Sequence, residues 1–328
     1  MKQSAADRPE ANFQRKAAIA HGGVLDHAGK VTVEPIDDFD LDRTIFQTLE
    51  GRVPRYVMRK RVGKEVTWAD DAARSVQQAY DEAQSGFELP PVDPELIQFL
   101  VDECDFDVEH ADGSFLDHLY FCYEYSARHY PEHSPLVMLL HSILGTGTNT
   151  FAMEASKIPA LRELITPFEW THTEAFPSIL RLLYAGTLRQ ELRANAHRAD
   201  AIESIRMHRV IDNQPIEMSG EDLWIALNYQ LIHLVDFMPV ANWSVHRNDT
   251  SFILFRDLYD LMDKAGKRDA FVSYSEPTGE PRQGEKLGLG GWLTTQIPVS
   301  MSEKMAAKSV TKFSERIGHS LNYDISWK

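Results

Sequence analysis

Histidines are the residues of this 328-residue chain whose setting most directly suggests chemistry. His118 follows Asp117 near the predicted start of one helix, and His141 precedes Ser142 inside the aliphatic stretch 136–144. A histidine surrounded by leucine and isoleucine must satisfy its ring nitrogens, either with a backbone carbonyl or with a metal ion. The sequence therefore leaves two alternatives for His141, a hydrogen-bonded core residue or a metal ligand.

Helix start and stop signals place both histidines on two consecutive helices. Ser114 opens a stretch that resembles a capping box, and Ser134 is an N-cap followed by proline at the first helical position. Gly145 predicts the end of the second helix. Because the connection between these helices is short, we expect them to be antiparallel neighbours that bring His118 and His141 together inside a bundle.

A later helix adds a carboxylate to this pair. The stretch 219–238 begins with a second capping-box-like signal and carries a leucine stripe. Tyr229, His233 and Asp236 lie at positions i, i+4 and i+7, so they share another face of that helix. The two imidazoles and the Asp236 carboxylate form a set that suits a divalent metal such as Fe, Mn, Zn or Ni.

Composition limits the function classes. The net charge of −15 disfavours nucleic acid as a partner. No apolar run is long enough to cross a membrane, and the first 30 residues lack the apolar segment of a signal peptide. The expectation is a cytoplasmic protein with no membrane partner, whose two cysteines, Cys104 and Cys122, stay reduced. A small-molecule substrate is expected, and a homodimer is left open.

The predicted fold class is all-α. Helical periodicities dominate, strand signals are few and short, and Pro90–Pro91 suggests a boundary. We predict an N-terminal extension over 1–90, a helical core over 91–262, and a C-terminal loop with a closing helix over 263–328. Residues 1–30 are predicted to form a tail or a wrapping arm. The sequence also predicts a short helix over 40–49, an exposed amphipathic helix over 67–84, a helix that begins after the cap Asp93, and a surface loop over 276–291.

Two motifs carry a resemblance to known proteins. G-S-F-L-D-H-L, which contains His118, and L-L-H-S-I-L-G-T, which contains His141, resemble the signature of an uncharacterised family of bacterial and fungal proteins, a domain of unknown function. The helix order is also similar to that of the HD superfamily of metal-dependent phosphohydrolases and di-iron oxygenases akin to inositol oxygenase. The resemblance covers roughly residues 94–239 and implies an HD-like helical bundle.

The resemblance also implies a ligand set. It assigns metal binding and catalysis to His118, His141 and Asp236. Ser142 stands where the superfamily has the aspartate of its name, and a neutral hydroxyl is a poor ligand for a divalent ion. The site could therefore hold one metal, recruit Asp117 or Glu154, or bind a ligand without metal. The candidate substrate-binding residues are Tyr123, Ser142, Thr146, Tyr229 and His233.

Three functions remain open on this basis. The first is a metal-dependent enzyme, either a hydrolase or a non-haem iron oxygenase, that uses Fe, Mn or Zn. The second is a metal-free enzyme in which His118 or His141 is a general base. The third is a binding or scaffold protein that keeps the fold without the chemistry.

Overall fold

The computed structural model describes residues 12–25, 31–36, 51–104, 109–110, 113–145, 147, 153–241, 245–276 and 285–328. Most of these residues are helical, which confirms the predicted all-α class, whereas the HD-like arrangement stays a prediction. None of the helices in this part of the chain is long and apolar enough to cross a membrane. The helices are α1 (Phe13–His21), α2 (Arg52–Arg61), α3 (Asp70–Gln84), α4 (Pro94–Glu103), α5 (Phe115–His129), α6 (Leu136–Leu140), α7 (Ile158–Leu164), α8 (Pro167–Ala185), α9 (Thr187–Ala194), α10 (Gly220–Ala241), α11 (Thr250–Ala265), α12 (Gly288–Thr295) and α13 (Val299–Ile317).

Short strands join distant parts of the chain. They are β1 (Gly23–Val24), β2 (Val31–Pro35), β3 (Lys64–Trp68), β4 (Glu109–His110), β5 (Gly113–Ser114), β6 (Ile202–His208), β7 (Pro215–Ser219), β8 (Ser273–Tyr274) and β9 (Asp324–Trp327). β2 pairs with β3 and β4 with β5 in antiparallel fashion, whereas β1 and β8 are parallel. β6 lies between β7 and β9 in a three-stranded antiparallel sheet, so the C-terminus of the chain completes this sheet.

The central element is α10. Its first turn is capped as predicted, because the Asp222 amide donates to Ser219 Oγ at 3.0 Å. The stripe Leu223, Leu227 and Leu231 is fully buried. The opposite face is buried too, which is the pattern of a helix enclosed on all sides. Polar groups on α10 must therefore find partners inside the protein.

Two hydrophobic cores meet at α5 and α6. Phe121 and Tyr125 of α5 belong to the larger core, which α8, α10 and α11 complete. Leu119 and Tyr123 of the same helix belong to the smaller core, which includes α4 and α7. Because α5 and α6 contribute to both cores, the side chains between them lie deep in the protein.

The N-terminal stretch, predicted as a tail or a wrapping arm, contains the helix α1. Asn12 caps α1 by accepting the Arg15 amide at 2.9 Å, and Gly22 ends the helix with a φ of 70°. The helix packs against α3, α5 and α10, and Ile19 is 1% exposed. Residues before 90 therefore contribute to the same core as the middle of the chain.

Several element boundaries differ from the sequence prediction. A helix predicted over 67–84 begins at Asp70, because 64–68 forms β3. The surface loop predicted over 276–291 gives way to α12 at Gly288, and a short helix predicted over 40–49 lies outside the described residues. The sequence also missed β6, in which only Ile202, Ile205 and Met207 are buried.

Candidate metal centre

Three histidines meet at the junction of the two cores. His118 lies one turn into α5, His141 follows α6, and His233 lies on α10. Their exposed fractions are 1%, 0% and 5%. One nitrogen from each ring lies within 4.8 Å of the others, so the three side chains are close enough to hold a metal ion. We call this group the histidine triad.

His118 is fixed by the Asp236 carboxylate. His118 Nδ1 lies 2.6 Å from Asp236 Oδ2. Burial raises the pKa of Asp236, but the Arg15 and His118 partners lower it more strongly, and its pKa is held below the usual range. The carboxylate is thus an ionised acceptor, and His118 Nδ1 donates the proton.

His141 is fixed by its own backbone. His141 Nδ1 lies 2.7 Å from the Met138 carbonyl oxygen, so this nitrogen also carries the proton. In a continuing α-helix that carbonyl would accept the amide of residue 142. α6 instead ends at Leu140, and His141 lies in the following turn rather than within the predicted helix to residue 144. Burial, together with His118, lowers the pKa of His141 well below its usual value, so the ring is neutral.

These two bonds orient the remaining nitrogens toward each other. His118 Nε2 and His141 Nε2 are 3.1 Å apart. When both rings are neutral, each of these atoms presents a lone pair, and two lone pairs at this distance repel unless a proton or a cation lies between them. Two nitrogen ligands at about 2.0–2.1 Å from one zinc-like ion lie roughly 3.0–3.4 Å apart, so the observed spacing fits a shared ion.

Arg15 is the residue of this site that sequence reasoning missed. Its Nε donates to Asp236 Oδ1 at 2.7 Å, and its Nη2 donates to Asp236 Oδ2 at 3.0 Å. Both side chains are almost fully buried, at 4% and 2% exposure. Asp236 therefore bonds to a guanidinium and to an imidazole rather than belonging to the triad itself. A buried carboxylate needs a cation nearby, so the sequence could have suggested that Asp236 has a basic partner. This rule does not say where in the chain the partner lies.

Aromatic rings enclose the third histidine. The His233 centroid lies 4.9 Å from Phe237 and 5.3 Å from Phe176. Phe176 also lies 4.7 Å from the His141 ring. These phenyl groups cover apolar faces of the His141 and His233 rings. His233, which the sequence suggested as a substrate contact, is a member of the triad.

The other predicted site residues are not members of the triad. The Tyr123 hydroxyl donates to the Pro90 carbonyl at 2.6 Å, and the Tyr229 hydroxyl donates to the Ser134 carbonyl at 2.8 Å. Ser142 is buried next to His141, and Thr146 lies outside the described residues. Asp117 is half-buried, Glu154 is exposed, and the structure does not group either of them with the triad.

Comparison with known proteins adds no family to this geometry. No protein-family model matches the chain, and neither a curated protein nor a solved structure matches it at a significant level. The resemblance to the HD superfamily consequently stays a hypothesis that two motifs support. The candidate function has to be argued from the site.

Proposed function

We propose that this protein is a metal-dependent enzyme that uses His118, His141 and His233 as ligands and acts on a small molecule, with hydrolysis as its chemistry. The observation that carries the proposal is the paired orientation of two imidazoles. Each has its Nδ1 proton bound to an oxygen, and their Nε2 atoms face each other at 3.1 Å. Oriented imidazoles whose second nitrogen is held by a carboxylate or a carbonyl are typical of metal sites in proteins.

The role of Asp236 favours hydrolysis over oxygenase chemistry. A facial triad of the oxygenase type needs two histidines and one carboxylate as ligands. Both Asp236 oxygens here already accept from Arg15, and one of them also accepts from His118. Three histidines with an open position are typical of sites where a divalent ion lowers the pKa of a bound water.

The residues of this chain have separate tasks in the proposed site. Asp236 holds His118 in the tautomer that leaves Nε2 free of a proton, and the Met138 carbonyl does the same for His141. Arg15 compensates the charge of Asp236, so the triad with its ion would carry a net positive charge. That charge favours a hydroxide or an anionic group of a substrate at the open position. Phe176 and Phe237 limit the access of water.

Ser142 accounts for the main departure from the HD superfamily. The aspartate of that superfamily would be a further ligand, and Ser142 provides none of comparable strength. His233 is a third nitrogen donor in the same buried space. We therefore propose a mononuclear site in which an imidazole takes the place of the missing carboxylate.

Metal removal and reconstitution test the proposal. Protein without an affinity tag would be treated with a chelator, reloaded with Zn²⁺, Mn²⁺ or Fe²⁺, and assayed on p-nitrophenyl phosphate and p-nitrophenyl acetate. Hydrolysis should disappear with the metal, return on reloading, and be lost in His118→Ala and His233→Ala but kept in Glu154→Gln. Hydrolysis that survives either histidine replacement would contradict the proposed role of the triad.

A metal-free general base is the second candidate. The Asp236–His118 pair at 2.6 Å resembles the dyads that orient a catalytic imidazole, and the 3.1 Å contact to His141 can equally hold a shared proton. This candidate predicts hydrolysis that resists chelators and requires His118 but not His233. The same variants therefore separate the two functions.

A further inference from the structure

A second group of aromatic side chains lies one helical turn from the histidine triad. His172 precedes Phe176 by four residues on α8, and Tyr229 precedes His233 by four residues on α10. Four residues rise about 6 Å along an α-helix. The ring centroids are 5.7 Å apart for His172 and Tyr229, and 5.3 Å apart for Phe176 and His233. The two helices thus present two successive layers of rings, and His233 of the triad belongs to the second one along the chain.

The first layer closes into a cycle of five rings. The centroid distances are 4.8 Å from Tyr130 to His133, 5.5 Å from His133 to Phe168, 4.4 Å from Phe168 to His172, 5.7 Å from His172 to Tyr229, and 5.4 Å from Tyr229 back to Tyr130. We call these five side chains the ring cycle. Centroids at these spacings lie roughly 4–5 Å from the middle of the cycle, within the ~6 Å over which a ring face attracts a cation. His133 and Phe168 are stacked at 12°, so at most one of these two turns its face toward that middle.

Buried polar atoms of the ring cycle lack hydrogen-bond partners. They are the Tyr130 hydroxyl and both ring nitrogens of His172. The hydroxyl of Thr173, next to His172 in the chain, is also buried without a hydrogen-bond partner. These three residues are 0%, 1% and 0% exposed. His172 Nε2 lies 3.4 Å from Asp222 Oδ1, outside ideal hydrogen-bond alignment but close enough for His172 to lower the pKa of that carboxyl. Because buried polar groups are almost always paired, these atoms indicate a missing ligand that donates N–H groups to them.

Carboxylates surround the ring cycle. Burial is the largest influence on the pKa of Tyr130, His133 and Tyr229. The neighbouring groups that also shift these pKa values are carboxylates, together with His172 for His133 and Tyr130 for Tyr229. Asp222 lies beside His172, and the negative end of α5 at His129 precedes Tyr130. The carboxylates are Glu132, Glu169, Glu221 and Asp269. This potential attracts a cation and repels an anion.

We propose that the ring cycle binds a small organic ammonium ion with at least one N–H group, and that this ion is the amine end of the substrate. His133 and Phe168 are only partly buried, so the cycle is open to solvent on their side. His233 of the triad lies one turn along α10 from Tyr229 of the cycle. The binding of the ammonium group rests on the ring cycle alone, whereas its identity as a substrate rests on the proposed function.

Two probes of equal size test the binding. Propylammonium and propan-1-ol would be titrated separately into the full-length protein and followed by the NMR shifts of aromatic protons. Propylammonium should bind saturably and propan-1-ol about tenfold more weakly or not at all, because only the first carries the charge. Equal affinities for the two probes, or no saturable binding of propylammonium, would overturn the proposal.

Matched variants locate the binding. Phe168→Leu keeps an apolar side chain but removes a ring face, and it should weaken propylammonium binding about tenfold. Tyr56→Leu, at an exposed site on α2, is the control and should leave the affinity unchanged. Tyr130→Phe should weaken binding without lowering the melting temperature of the unliganded protein, since its hydroxyl has no partner to lose. Equal affinities of Phe168→Leu and Tyr56→Leu would place the probe elsewhere and refute the ring cycle as its site.

A triad variant separates this inference from the metal proposal. His118→Ala should keep the propylammonium affinity within about twofold, because His118 lies outside the ring cycle. If the protein binds no metal while propylammonium binding follows the ring-cycle variants, the metal proposal fails and the ammonium site stands. If metal binds but the charged and neutral probes do not differ, the ammonium site fails alone.

Discussion

Asp236 depends on Arg15 for its charge. Two guanidinium bonds and one imidazole bond compensate a carboxylate that is only 3% exposed. Arg15→Ala would leave Asp236 buried beside His118 alone, and we expect a loss on the order of 3–5 kcal/mol in the free energy of unfolding. Urea unfolding measures this change, with the exposed Arg74→Ala as the control. Equal losses in the two variants would show that the Arg15–Asp236 pair contributes no stability.

His246 gives a prediction about pH that does not involve the triad. It is 0% exposed, and neither ring nitrogen has a hydrogen-bond partner. Burial, with Arg61 and Lys64, lowers its pKa to about 3. An unfolded histidine takes up a proton below about pH 6.5, whereas the buried ring does so only near pH 3. Between these two pH values the unfolded state binds more protons, so the free energy of unfolding decreases as the pH falls from about 6.5 toward 3.

Replacing His246 should therefore flatten the pH dependence. His246→Leu is expected to lose less stability than the wild type between pH 7 and pH 5, because the unfolded state no longer gains that proton. Urea unfolding at both pH values measures the difference, and His197→Leu at an exposed position is the control. A pH dependence of His246→Leu equal to that of the wild type would contradict the assignment of a neutral buried imidazole.

The turn after α6 positions His141, and Gly145 closes it. Gly145 has a φ of 126°, and a Cβ at this position would lie 2.8 Å from Val210 Cγ1. Gly145→Ala combines backbone strain with a clash, and it should destabilise the protein by about 1–3 kcal/mol. Gly186→Ala shares a positive φ of 92° but meets its first atom only at 3.7 Å. Thermal unfolding of both variants isolates the clash, and equal melting temperatures would show that Val210 yields without cost.

Local signals predicted the helices better than they predicted the site. The caps at Asp93 and Ser219 involve neighbouring amides, and both helices begin where the sequence indicates. The His141 side chain bonds the carbonyl at which α6 ends early, and β6 pairs with β9, a strand more than 100 residues later, as well as with the nearby β7. The Arg15–Asp236 contact spans 221 residues, and no periodicity in α1 announces it. Residue type and spacing were enough to suggest His118, His141 and Asp236 as site residues. Only the packing of α10 against α5 and α6 shows that His233 lies beside the other two histidines.

The larger hydrophobic core contains residues from all three segments predicted from the sequence, 1–90, 91–262 and 263–328. The larger core takes Ile19 from α1, Leu227 from α10 and Ile325 from β9. β1 pairs with β8, which ties the first described helix to the chain after α11. We therefore expect a fragment of residues 91–262 to be largely unfolded and the full chain to unfold in one transition. Far-UV circular dichroism of the fragment measures this, and a cooperative, helical fragment would show that the middle segment is an independent domain.

Metal stoichiometry is the most direct test of the central claim. Untagged protein freed of metal would be titrated with Co²⁺ and monitored by the visible absorption of the ion, and the bound metal would be counted by elemental analysis. The account predicts one ion per chain in the wild type and in Glu154→Gln, and loss of that ion in His118→Ala, His141→Ala and His233→Ala. Asp236→Asn should keep the ion with an affinity about 10- to 100-fold lower, as expected for a residue that orients a ligand. Folded wild-type protein that binds no ion, or histidine variants that bind it as the wild type does, would contradict the account.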